Sequence, residues 1–485
     1  MQKLAKLPPI DKTIHLIGIG GIGMSALALI VKDWGYNVSG SDSNISARLE
    51  DLRERNIQIF SSQASKNIEV VTQKSKNNVL VIISSAIKDG NQELEAAKEA
   101  GLEIWHRSDL LAALMGQKQS VVIAGSHGKT TTSTIVTTLL ALTGKDPTAV
   151  IGGQVPFYQS NAHSGKGKII VAEGDESDGS VIKLKANLGV ITNLEFEHAD
   201  HYKNLKELIE TMKIFANGCE KILANYDCPN LQSSLKDCYW WSTKQTEEVD
   251  FAALPISIEG DKSIVRFFEK GKFIDEITIG LPGIHNLSNA IAAIATCRLQ
   301  GVSLKQIKNN IMFIERPSRR FEYKGEWKNR QFVDDYAHHP TEIESTIKMA
   351  NKIITSKQTP FPKTSERLVV VFQPHRFSRT NIFIKDFARC LSESKLLILS
   401  PTYAAGEDYI EKASISSIAK EIKKIKPSLE IYLAKNLQEV VALLKENSKR
   451  KDLILTMGAG DINNVWKLIN KKEEIQKCPE LKQAA

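Results

Sequence analysis

The sequence predicts an α/β protein of three domains: a Rossmann-like N-terminal domain, a central domain like that of P-loop ATPases, and a Rossmann-like C-terminal domain. The prediction depends on three β-branched runs, each of which ends in a glycine-rich or polar loop followed by a helix-like pattern. These are residues 13–17 before GIGGIG, 120–124 before GSHGKTTT and 368–372 before QPHRFSRT. Ligands of parallel α/β sheets bind at the carboxyl ends of the strands, so each loop is a candidate site.

The length of the chain agrees with this division. Its 485 residues suffice for about three domains of roughly 150 residues each. We place the domains at 1–116, 117–315 and 316–485, because the segment IERPSRRF near the second boundary carries a proline and a cluster of charges after a helical stretch. Short alternating runs at 247–280 predict a hairpin-rich insert.

The composition is typical of a soluble globular protein, with 42% hydrophobic and 25% charged residues. The net charge of +8 suits anionic small-molecule substrates, and the lysines of 420–472 favour a solvated helical face over a nucleic-acid interface.

Six scattered cysteines without a CxxC motif indicate no zinc or disulfide framework and a reducing cytoplasm. The apolar run 14–31 contains glycines and predicts a strand and a helix rather than a membrane span, and residues 1–12 lack the apolar segment of a signal peptide.

The first loop, GIGGIG, is a GxGxxG pattern that follows a strand and opens a helix. Glycines let the backbone turn tightly beside a phosphate, and the helix N-terminus attracts the anion. An acid follows the second predicted strand, at the position of a ribose-binding acid in dinucleotide enzymes. A nucleotide or nucleotide sugar is therefore predicted, with NAD and a UDP-sugar both open and a ligand-free glycine turn as the alternative. The candidate residues are Gly18, Gly20, Gly21, Gly23 and Asp42.

The second loop predicts ATP binding, although Ile123 stands where the longer P-loop pattern has glycine. Backbone amides of such a loop surround the phosphates, its lysine brings positive charge to the β and γ oxygens, and the hydroxyl that follows suits Mg²⁺. The candidate residues are Gly125, Ser126, His127, Gly128, Lys129, Thr130 and Thr131.

Acidic residues follow two apolar strands of the predicted central domain. The first group is Glu173, Asp175, Glu176 and Asp178, and the second lies in TNLEFEHAD, which also contains His198. Because Mg²⁺ beside phosphates needs only one or two carboxylates, we expect a Mg²⁺ site here. On residue type alone, His198 is either a metal ligand or a structural histidine.

Two further segments carry candidate polar residues. GIHNLSNA opens a helix, where His285, Asn286 and Asn289 either cap the helix or recognise a base or ribose. In the predicted C-terminal domain, Arg376 and Arg379 stand three residues apart. Inside a helix they would project to one side and could hold a carboxylate, for which the planar guanidinium is well shaped.

Together these blocks resemble the Mur ligases of peptidoglycan synthesis over nearly the whole chain. GSHGKTTT is similar to the phosphate loop of that family, and DESD, the GxHNxxNA pattern and the arginine-bearing third domain match it in order and spacing. HLIGIGGIGMSALA, VSGSD, SSAI, DDYAHHPTEI and QPHRFSRT resemble its alanine-adding branch. TNLEFEHAD departs from the usual TNIEADHMD, with Glu197 for aspartate and Ala199 for methionine, and Gly174 stands where alanine is usual.

The resemblance implies an ATP-dependent, Mg²⁺-requiring cytoplasmic ligase that joins L-alanine to the lactyl carboxylate of UDP-N-acetylmuramate through an acyl phosphate, with domain closure on ATP binding. It assigns the UDP-sugar to the first glycine loop, with Ser84, Ser85, His106 and Arg107 nearby, and Mg²⁺ to Thr130, Glu173 and His198. It assigns adenine to His285, Asn286 and Asn289, and nucleotide contacts from the third domain to Arg320 and Asp335. It assigns the tetrahedral centre and the alanine carboxylate to Tyr336, His338, Arg376 and Arg379. The implied catalytic residues are Lys129, His198, His338, Arg376 and Arg379.

Three alternatives stay open. An NAD-dependent dehydrogenase would use GxGxxG and Asp42, but leaves the phosphate loop, the acids and the arginines unexplained. A non-enzymatic nucleotide-binding module would show no dependence on an amino acid. Another ligase of the same family, such as the one that recycles murein tripeptide or one that prefers glycine, differs in selectivity, and one methyl group is worth only about 1–3 kcal/mol in a pocket. The sequence fixes neither the oligomeric state nor the number of Mg²⁺ ions.

Overall fold

The computed structural model describes residues 6–44, 47–198, 201–259, 262–281, 283–357 and 359–477, with side chains described as far as residue 470. Cys478, one of the six cysteines, lies outside the described residues. Three successive stretches of chain form three sheets of mainly parallel strands with helices between them, which confirms the predicted three-domain α/β class. Among the helices of the described residues, none is both long and apolar enough to span a bilayer.

The N-terminal domain is a five-stranded parallel sheet flanked by helices. Its elements are β1 (Thr13–Ile17), α1 (Ile22–Asp33), β2 (Val38–Ser41), α2 (Ala47–Glu54), β3 (Gln58–Phe60), α3 (Ser65–Lys74), β4 (Val79–Ile83), α4 (Gln92–Glu99), β5 (Glu103–His106) and α5 (Arg107–Met115). The strand order is β3-β2-β1-β4-β5. This order is that of the dinucleotide-binding fold, so the Rossmann-like prediction is confirmed.

The central domain is built on ten strands. Its elements are β6 (Gln119–Ala124), α6 (Lys129–Leu142), β7 (Thr148–Val155), a 3₁₀ turn (Pro156–Tyr158), β8 (Ser160–His163), β9 (Ile169–Glu173), a 3₁₀ turn (Ser180–Lys183), β10 (Leu188–Ile191), α7 (Leu205–Asn217), β11 (Ile222–Asn225), α8 (Pro229–Gln232), β12 (Tyr239–Ser242), β13 (Phe251–Ile258), β14 (Ser263–Glu269), β15 (Lys272–Ile279), α9 (Ile284–Leu299) and α10 (Leu304–Ile311). The order is β15-β14-β13-β12-β11-β10-β6-β9-β7-β8. Strands β13 to β15 are antiparallel neighbours, as the alternating runs predicted.

The third domain contains a six-stranded sheet. Its elements are β16 (Glu322–Trp327), β17 (Arg330–Asp335), α11 (Pro340–Ser356), β18 (Arg367–Phe372), α12 (Phe377–Leu391), β19 (Leu396–Leu399), a 3₁₀ turn (Glu411–Ala413), α13 (Ile415–Ile425), β20 (Glu430–Leu433), α14 (Leu437–Asn447), β21 (Asp452–Met457) and α15 (Asn464–Lys477). The order is β16-β17-β21-β18-β19-β20, in which only β16 is antiparallel to its neighbour.

Strand register brings three chain segments to one edge of the central sheet. Strand β6 lies between β9 and β10, with Ile123 opposite Glu173 and Ala124 opposite Ile191. The phosphate loop, the acidic segment after β9 and the segment 192–198 therefore start side by side. Helix α6 packs against α9 beneath the loop, with both helices largely buried in one apolar core. The loop is thus anchored on a rigid base.

Candidate functional site

The phosphate loop connects β6 to α6 and needs glycine at two positions. Gly128, at the start of the helix, has φ 81°, and a Cβ there would lie 2.3 Å from Asn289 Oδ1. Gly125 has φ 121°, and its Cβ would lie 2.4 Å from Thr192 Oγ1. Both positions lack the space for a side chain and have a backbone conformation that favours glycine. The first amides of α6 have no partner within the helix, so its N-terminus suits an anion.

Lys129 is held against the loop by three oxygen atoms. Its Nζ lies 2.6 Å from Gly125 O, 3.2 Å from Ser126 O and 2.7 Å from Glu176 Oε1. Burial works against the charge of Lys129, but the Glu176 carboxylate more than offsets this and raises the pKa of the lysine above its ordinary value. The structure therefore keeps a cation at the mouth of the loop.

Glu173, at the end of β9, faces the first turn of α6. Its two carboxylate oxygens accept hydrogen bonds from Thr130 Oγ1 at 3.1 Å and from Ser133 Oγ at 2.7 Å. Burial raises the pKa of Glu173, and the bond from Ser133 and the charge of Lys129 only partly oppose this. A partly buried carboxylate beside a hydroxyl offers hard oxygen ligands next to the phosphate loop, so Thr130 and Glu173 fit Mg²⁺.

His198 groups with two glutamates of the acidic segments that the family resemblance did not assign to the metal. Its Nε2 lies 3.2 Å from Glu176 Oε1 and 3.8 Å from Glu197 Oε2. One ligand atom from each of these three residues lies within 4.8 Å of the others. His198 and Glu173 line the same cavity, so the three predicted metal residues share one space. The acidic DESD run was the available signal for Glu176.

Glu197 connects the central domain with the third domain. Its Oε1 accepts a bond of 3.0 Å from Arg379 Nη2 and lies 3.4 Å from His338 Nε2. Its Oε2 lies 3.9 Å from His127 Nδ1. Burial opposes the charge of Glu197, but the bond with His338 and the charge of His127 hold the pKa of this carboxyl well below its usual range. Glu197 is therefore an anion surrounded by histidines and an arginine.

A cavity of about 340 Å³ lies where the three domains meet, and we call it the interdomain cavity. It is lined by Gly23 and Arg107 of the first domain, by Ser126, Lys129, Thr130, Glu173 and His198 of the central domain, and by Arg320, Tyr336 and His338 of the third. Residues from all three domains, assigned separately by sequence reasoning, are thus brought around one space.

A second cavity, of about 360 Å³, adjoins the phosphate loop on the side of α9, and we call it the asparagine-lined cavity. Eight predicted residues line it: His127, Gly128, Thr131, His285, Asn286, Asn289, Arg320 and Asp335. Asn225 and Asn230 also line it and were missed, although Asn225 ends the buried strand β11. Burial, then the charges of nearby arginines, lower the pKa of His285 to about 4, so its imidazole is neutral. Amides and a neutral imidazole suit a heteroaromatic base.

The carboxylate of Asp335 is bound to the backbone of neighbouring residues. Its carboxylate accepts bonds of 2.7 Å from the amides of Phe321 and Ala337. Burial raises the pKa of Asp335 to about 6, against the opposing charge of Arg320. Arg320 lies 3.6 Å from Glu342 Oε1, and these two residues line both cavities, whereas Asp335 lines the asparagine-lined cavity.

The first glycine loop is braced by Asp42. The two carboxylate oxygens of Asp42 accept bonds of 2.9 Å from the amides of Gly20 and Asn44. Arg48 Nε donates to Gly20 O at 3.1 Å, and Gly18 has φ 77°. These contacts show that Asp42 holds the shape of the glycine loop, and each of its carboxylate oxygens keeps room to accept a further hydrogen bond.

Other predicted residues of the first domain surround the start of α1 and the end of β4. Gly21 stands at the N-terminus of α1, and a Cβ on Gly23 would lie 3.2 Å from Arg107 Nη1. The carbonyl of Ser84 accepts a bond of 3.0 Å from the amide of Ile87 in the turn after β4. Gly23 and Arg107 are thus neighbours beside the interdomain cavity.

Two acids of the DESD run bind the first domain. Ser85 Oγ donates to Asp178 and lies 3.1 Å from His106 Nε2. Arg107 Nη2 lies 2.5 Å from Asp175 Oδ2. Burial opposes the charge of Asp175, but Arg107 holds the pKa of this carboxyl below its usual value. Asp175 and Asp178 therefore join two domains, a role that a local sequence pattern does not reveal.

The two arginines of the third domain have different partners. Arg376 precedes α12, has φ 70° and lies 3.9 Å from Glu407 Oε1. Arg379, inside the helix, donates to Glu197. Arg379 Nη1 also lies 3.2 Å from His375 O. The contacts described thus bring Arg376 to Glu407 and Arg379 to Glu197.

Three family models match the chain in succession. They are "Mur ligase family, catalytic domain" at residues 13–119, "Mur ligase middle domain" at 123–297 and "Mur ligase, glutamate ligase domain" at 319–460. Together they cover the three sheets.

Full-length relatives agree with the family models. A UDP-N-acetylmuramate–L-alanine ligase of Prochlorococcus marinus (strain MIT 9313) is 51% identical over 97% of this chain and 96% of its own. One of Synechococcus sp. (strain CC9311) is 49% identical over 95% and 96%. The solved structure of the UDP-N-acetylmuramate-alanine ligase MurC from Thermotoga maritima has a TM-score of 0.78 at 25% identity, covering 96% of this chain and 99% of that one. A murein peptide ligase from Psychrobacter arcticus shares the fold, with a TM-score of 0.69 at 21% identity over 95% and 98%. The chain belongs to the Mur ligase family.

Proposed function

We propose that this protein joins L-alanine to the lactyl carboxylate of UDP-N-acetylmuramate with hydrolysis of ATP, giving UDP-N-acetylmuramoyl-L-alanine, ADP and phosphate for peptidoglycan synthesis. The interdomain cavity is the observation that carries the proposal, because it joins a phosphate loop, a Mg²⁺-suited carboxylate and residues of three domains. The relatives at 51% and 49% identity are named for this reaction. No comparable observation supports the three alternatives, which are another ligase of the family, an NAD-dependent dehydrogenase and a nucleotide-binding module.

We assign one substrate group to each domain: the UDP-sugar to 1–116, ATP to 117–315 and the amino acid to 316–485. The glycine loop would bind the UDP part, with Arg107 beside Gly23 at the entrance to the interdomain cavity. The adenine would occupy the asparagine-lined cavity, which places its phosphates along the loop toward Lys129. A nucleotide reaction and free thiols at the described cysteines suit the cytoplasm.

Thr130 and Glu173 would hold Mg²⁺, with His198 across the same cavity. The ion supplies positive charge to the phosphate oxygens when it is bound. Lys129 would leave its carbonyl partners and Glu176 to contact the transferring phosphoryl group, because its flexible chain can exchange one set of oxygens for another. These residues position reactants and stabilise charge rather than react themselves.

The chemistry requires two displacements. A lactyl carboxylate oxygen attacks the γ-phosphorus, and the bond to the β-phosphate oxygen breaks, which releases ADP and leaves an acyl phosphate. The alanine amine then attacks the acyl carbon, and the resulting tetrahedral centre expels phosphate as the amine loses its proton. Tyr336 and His338 line the cavity where this centre would form, and the neighbouring Arg379 would hold the alanine carboxylate.

Closure of the domains on ATP binding would exclude water from the acyl phosphate. Arg320 supports this proposal, since it belongs to the third domain and yet lines both cavities. Small-angle scattering should show a smaller radius of gyration with an ATP analogue and UDP-N-acetylmuramate together. An unchanged scattering curve at saturation would contradict closure.

The proposed reaction is tested by phosphate release from purified protein with ATP, Mg²⁺ and UDP-N-acetylmuramate, with and without L-alanine. We expect alanine-dependent phosphate and, by mass spectrometry, a sugar nucleotide heavier by one alanyl residue. Murein tripeptide and glycine replace alanine in parallel reactions. Turnover with tripeptide alone would assign the protein to the recycling reaction, and no dependence on any amine would leave a nucleotide-binding module.

A further inference from the structure

Two histidines and a glutamate converge beside the phosphate loop, apart from the residues proposed to hold Mg²⁺. His127 Nε2 lies 3.4 Å from Glu195 Oε2, and His339 Nδ1 lies 3.9 Å from the same oxygen. The centroids of the two imidazole rings are 4.7 Å apart. One ligand atom from each residue lies within 4.8 Å of the other two, and we call the three residues the His-Glu-His cluster.

His339 lacks the hydrogen-bond partners that a buried imidazole normally has. It is 4% exposed, and neither of its ring nitrogens has a hydrogen-bond partner among the described residues. His127 Nε2 also makes no hydrogen bond of standard geometry, although Glu195 Oε2 lies 3.4 Å away. Buried polar atoms in folded proteins nearly always have a partner, so each exception needs an explanation. Here His127 Nε2 and His339 Nδ1 both lie near Glu195 Oε2, so a single ion could contact all three residues.

The ligand types select a class of ion. Two imidazoles and a carboxylate suit Zn²⁺ and its neighbours among the transition metals, whereas Mg²⁺ prefers oxygen ligands alone. Three protein ligands leave a fourth position open to water. Thr341 Oγ1 donates a bond of 2.6 Å to Glu195 Oε2 and so fixes the carboxylate, an outer contact that is common at metal sites.

We propose that the His-Glu-His cluster binds one divalent ion of the zinc class, and that the bound ion inhibits the enzyme. His127 and Glu195 belong to the central domain and His339 to the third, so the ion would join the phosphate loop to the third domain. His127 and Glu195 also line the asparagine-lined cavity, where the ion would exclude the nucleotide. The inhibition rests on the proposed function, whereas the binding does not.

Binding is tested by titrating Zn²⁺ into the full chain without nucleotide, followed by calorimetry, and by the visible absorption of bound Co²⁺. We expect one ion at the cluster, released by His339→Asn. Asparagine is favoured at the position before a helix and should leave α11 intact. The loss of affinity should be at least roughly tenfold.

Two control variants separate the cluster from other histidines. His163→Asn removes a histidine that contacts Asp146 at 2.8 Å and lies outside the cluster, so it should bind Zn²⁺ as the wild type does. His198→Asn changes the Glu176, Glu197 and His198 group and should keep the cluster's ion. Equal affinity in His339→Asn, or loss of the ion in His198→Asn, would overturn the proposal. Glu195→Gln replaces His339→Asn if thermal denaturation shows that the latter is unfolded.

Inhibition is tested by adding Zn²⁺ to the phosphate-release reaction in excess Mg²⁺. Wild-type turnover should fall, and His339→Asn should need at least roughly tenfold more Zn²⁺ for the same loss. If calorimetry shows that Zn²⁺ binds but turnover does not fall, the inhibitory role is overturned and the metal site itself stands. If alanine-dependent release is absent even without Zn²⁺, the proposed function fails, and the calorimetric comparison still decides the site.

Discussion

Glu197 of the central domain accepts a hydrogen bond of 3.0 Å from the guanidinium of Arg379 in the third domain. Both side chains are buried, with 4% and 9% exposed. The guanidinium that we assign to the alanine carboxylate therefore already has a carboxylate partner. We expect alanine to compete with Glu197 for Arg379, which would couple amino-acid binding to this contact between the domains.

Replacing Arg379 by alanine should weaken amino-acid binding. We expect KM for L-alanine to rise roughly 10- to 100-fold, since a hydrogen bond to a charged group contributes about 1.5–3 kcal/mol. The KM values for ATP and UDP-N-acetylmuramate should change much less. Arg389→Ala is the matched control, because Arg389 is on the same helix, 69% exposed and paired only with Asp386 in the contacts described. Equal effects of the two variants would contradict the assignment of Arg379.

Replacing Lys129 by alanine should slow the reaction itself. The loss of a fixed positive charge at the transferring phosphoryl group should reduce kcat by roughly 10²–10³. Lys145→Ala, which changes an exposed lysine beyond the other end of α6, should leave kcat unaltered. Initial rates of phosphate release at saturating substrate concentrations measure kcat for both variants. Turnover near the wild-type value in Lys129→Ala would remove the phosphate-loop assignment.

Gly128→Ala tests whether nucleotide binding depends on the shape of the phosphate loop, apart from the backbone strain that any side chain causes at a positive φ. The added Cβ would lie 2.3 Å from Asn289 Oδ1, so we expect affinity for an ATP analogue to fall at least tenfold, or about 1.4 kcal/mol. Gly144→Ala has nearly the same φ, 79°, but nothing within 4 Å of its Cβ. It should cost only about 1–2 kcal/mol of stability and leave nucleotide affinity intact. Calorimetry with the analogue and thermal denaturation distinguish these outcomes.

His285 should make the central domain sensitive to acid. Burial lowers the pKa of His285 to about 4 in the folded protein, whereas its pKa in the unfolded chain is about 6.5. As the pH falls below about 6.5, the unfolded chain therefore binds the proton first. Stability is lost as pH falls between those values, by about 2 kcal/mol from pH 7 to pH 5. In His285→Gln the fall should be smaller by that amount, whereas His163→Gln should behave as the wild type does. Urea denaturation at both pH values measures the difference, and an unchanged fall in His285→Gln would contradict the prediction.

Strands and local motifs were predictable because they depend on neighbouring residues. The run 13–17 coincides with β1, and the runs 120–124 and 368–372 each miss one residue at the start of β6 and β18. Buried parallel strands read as continuous β-branched runs, and the glycine or polar loop marks where each strand ends. The candidate residues of the phosphate loop follow directly from that boundary.

The contacts between domains were not predictable from local pattern. Arg379 and Glu197 lie 182 residues apart, and Arg107 and Asp175 lie 68 apart. An acid in a charged run carries no sign of which distant cation it will meet. Asp42 shows the converse limit, since its position suggested a ribose contact while its carboxylate binds the amide of Gly20.

The place of β21 in the third sheet has a consequence for how the protein is made. This strand pairs with β17 on one side and β18 on the other, although it comes last of the three in the chain. During synthesis the N-terminal part of a protein emerges first, so β17 and β18 are exposed on the ribosome before the strand that joins them exists. A chain that stops before residue 452 would retain two half-sheets with unpaired edges, which are surfaces for chaperones and for aggregation. The third sheet can therefore be completed only late in synthesis, after β21 has left the ribosome.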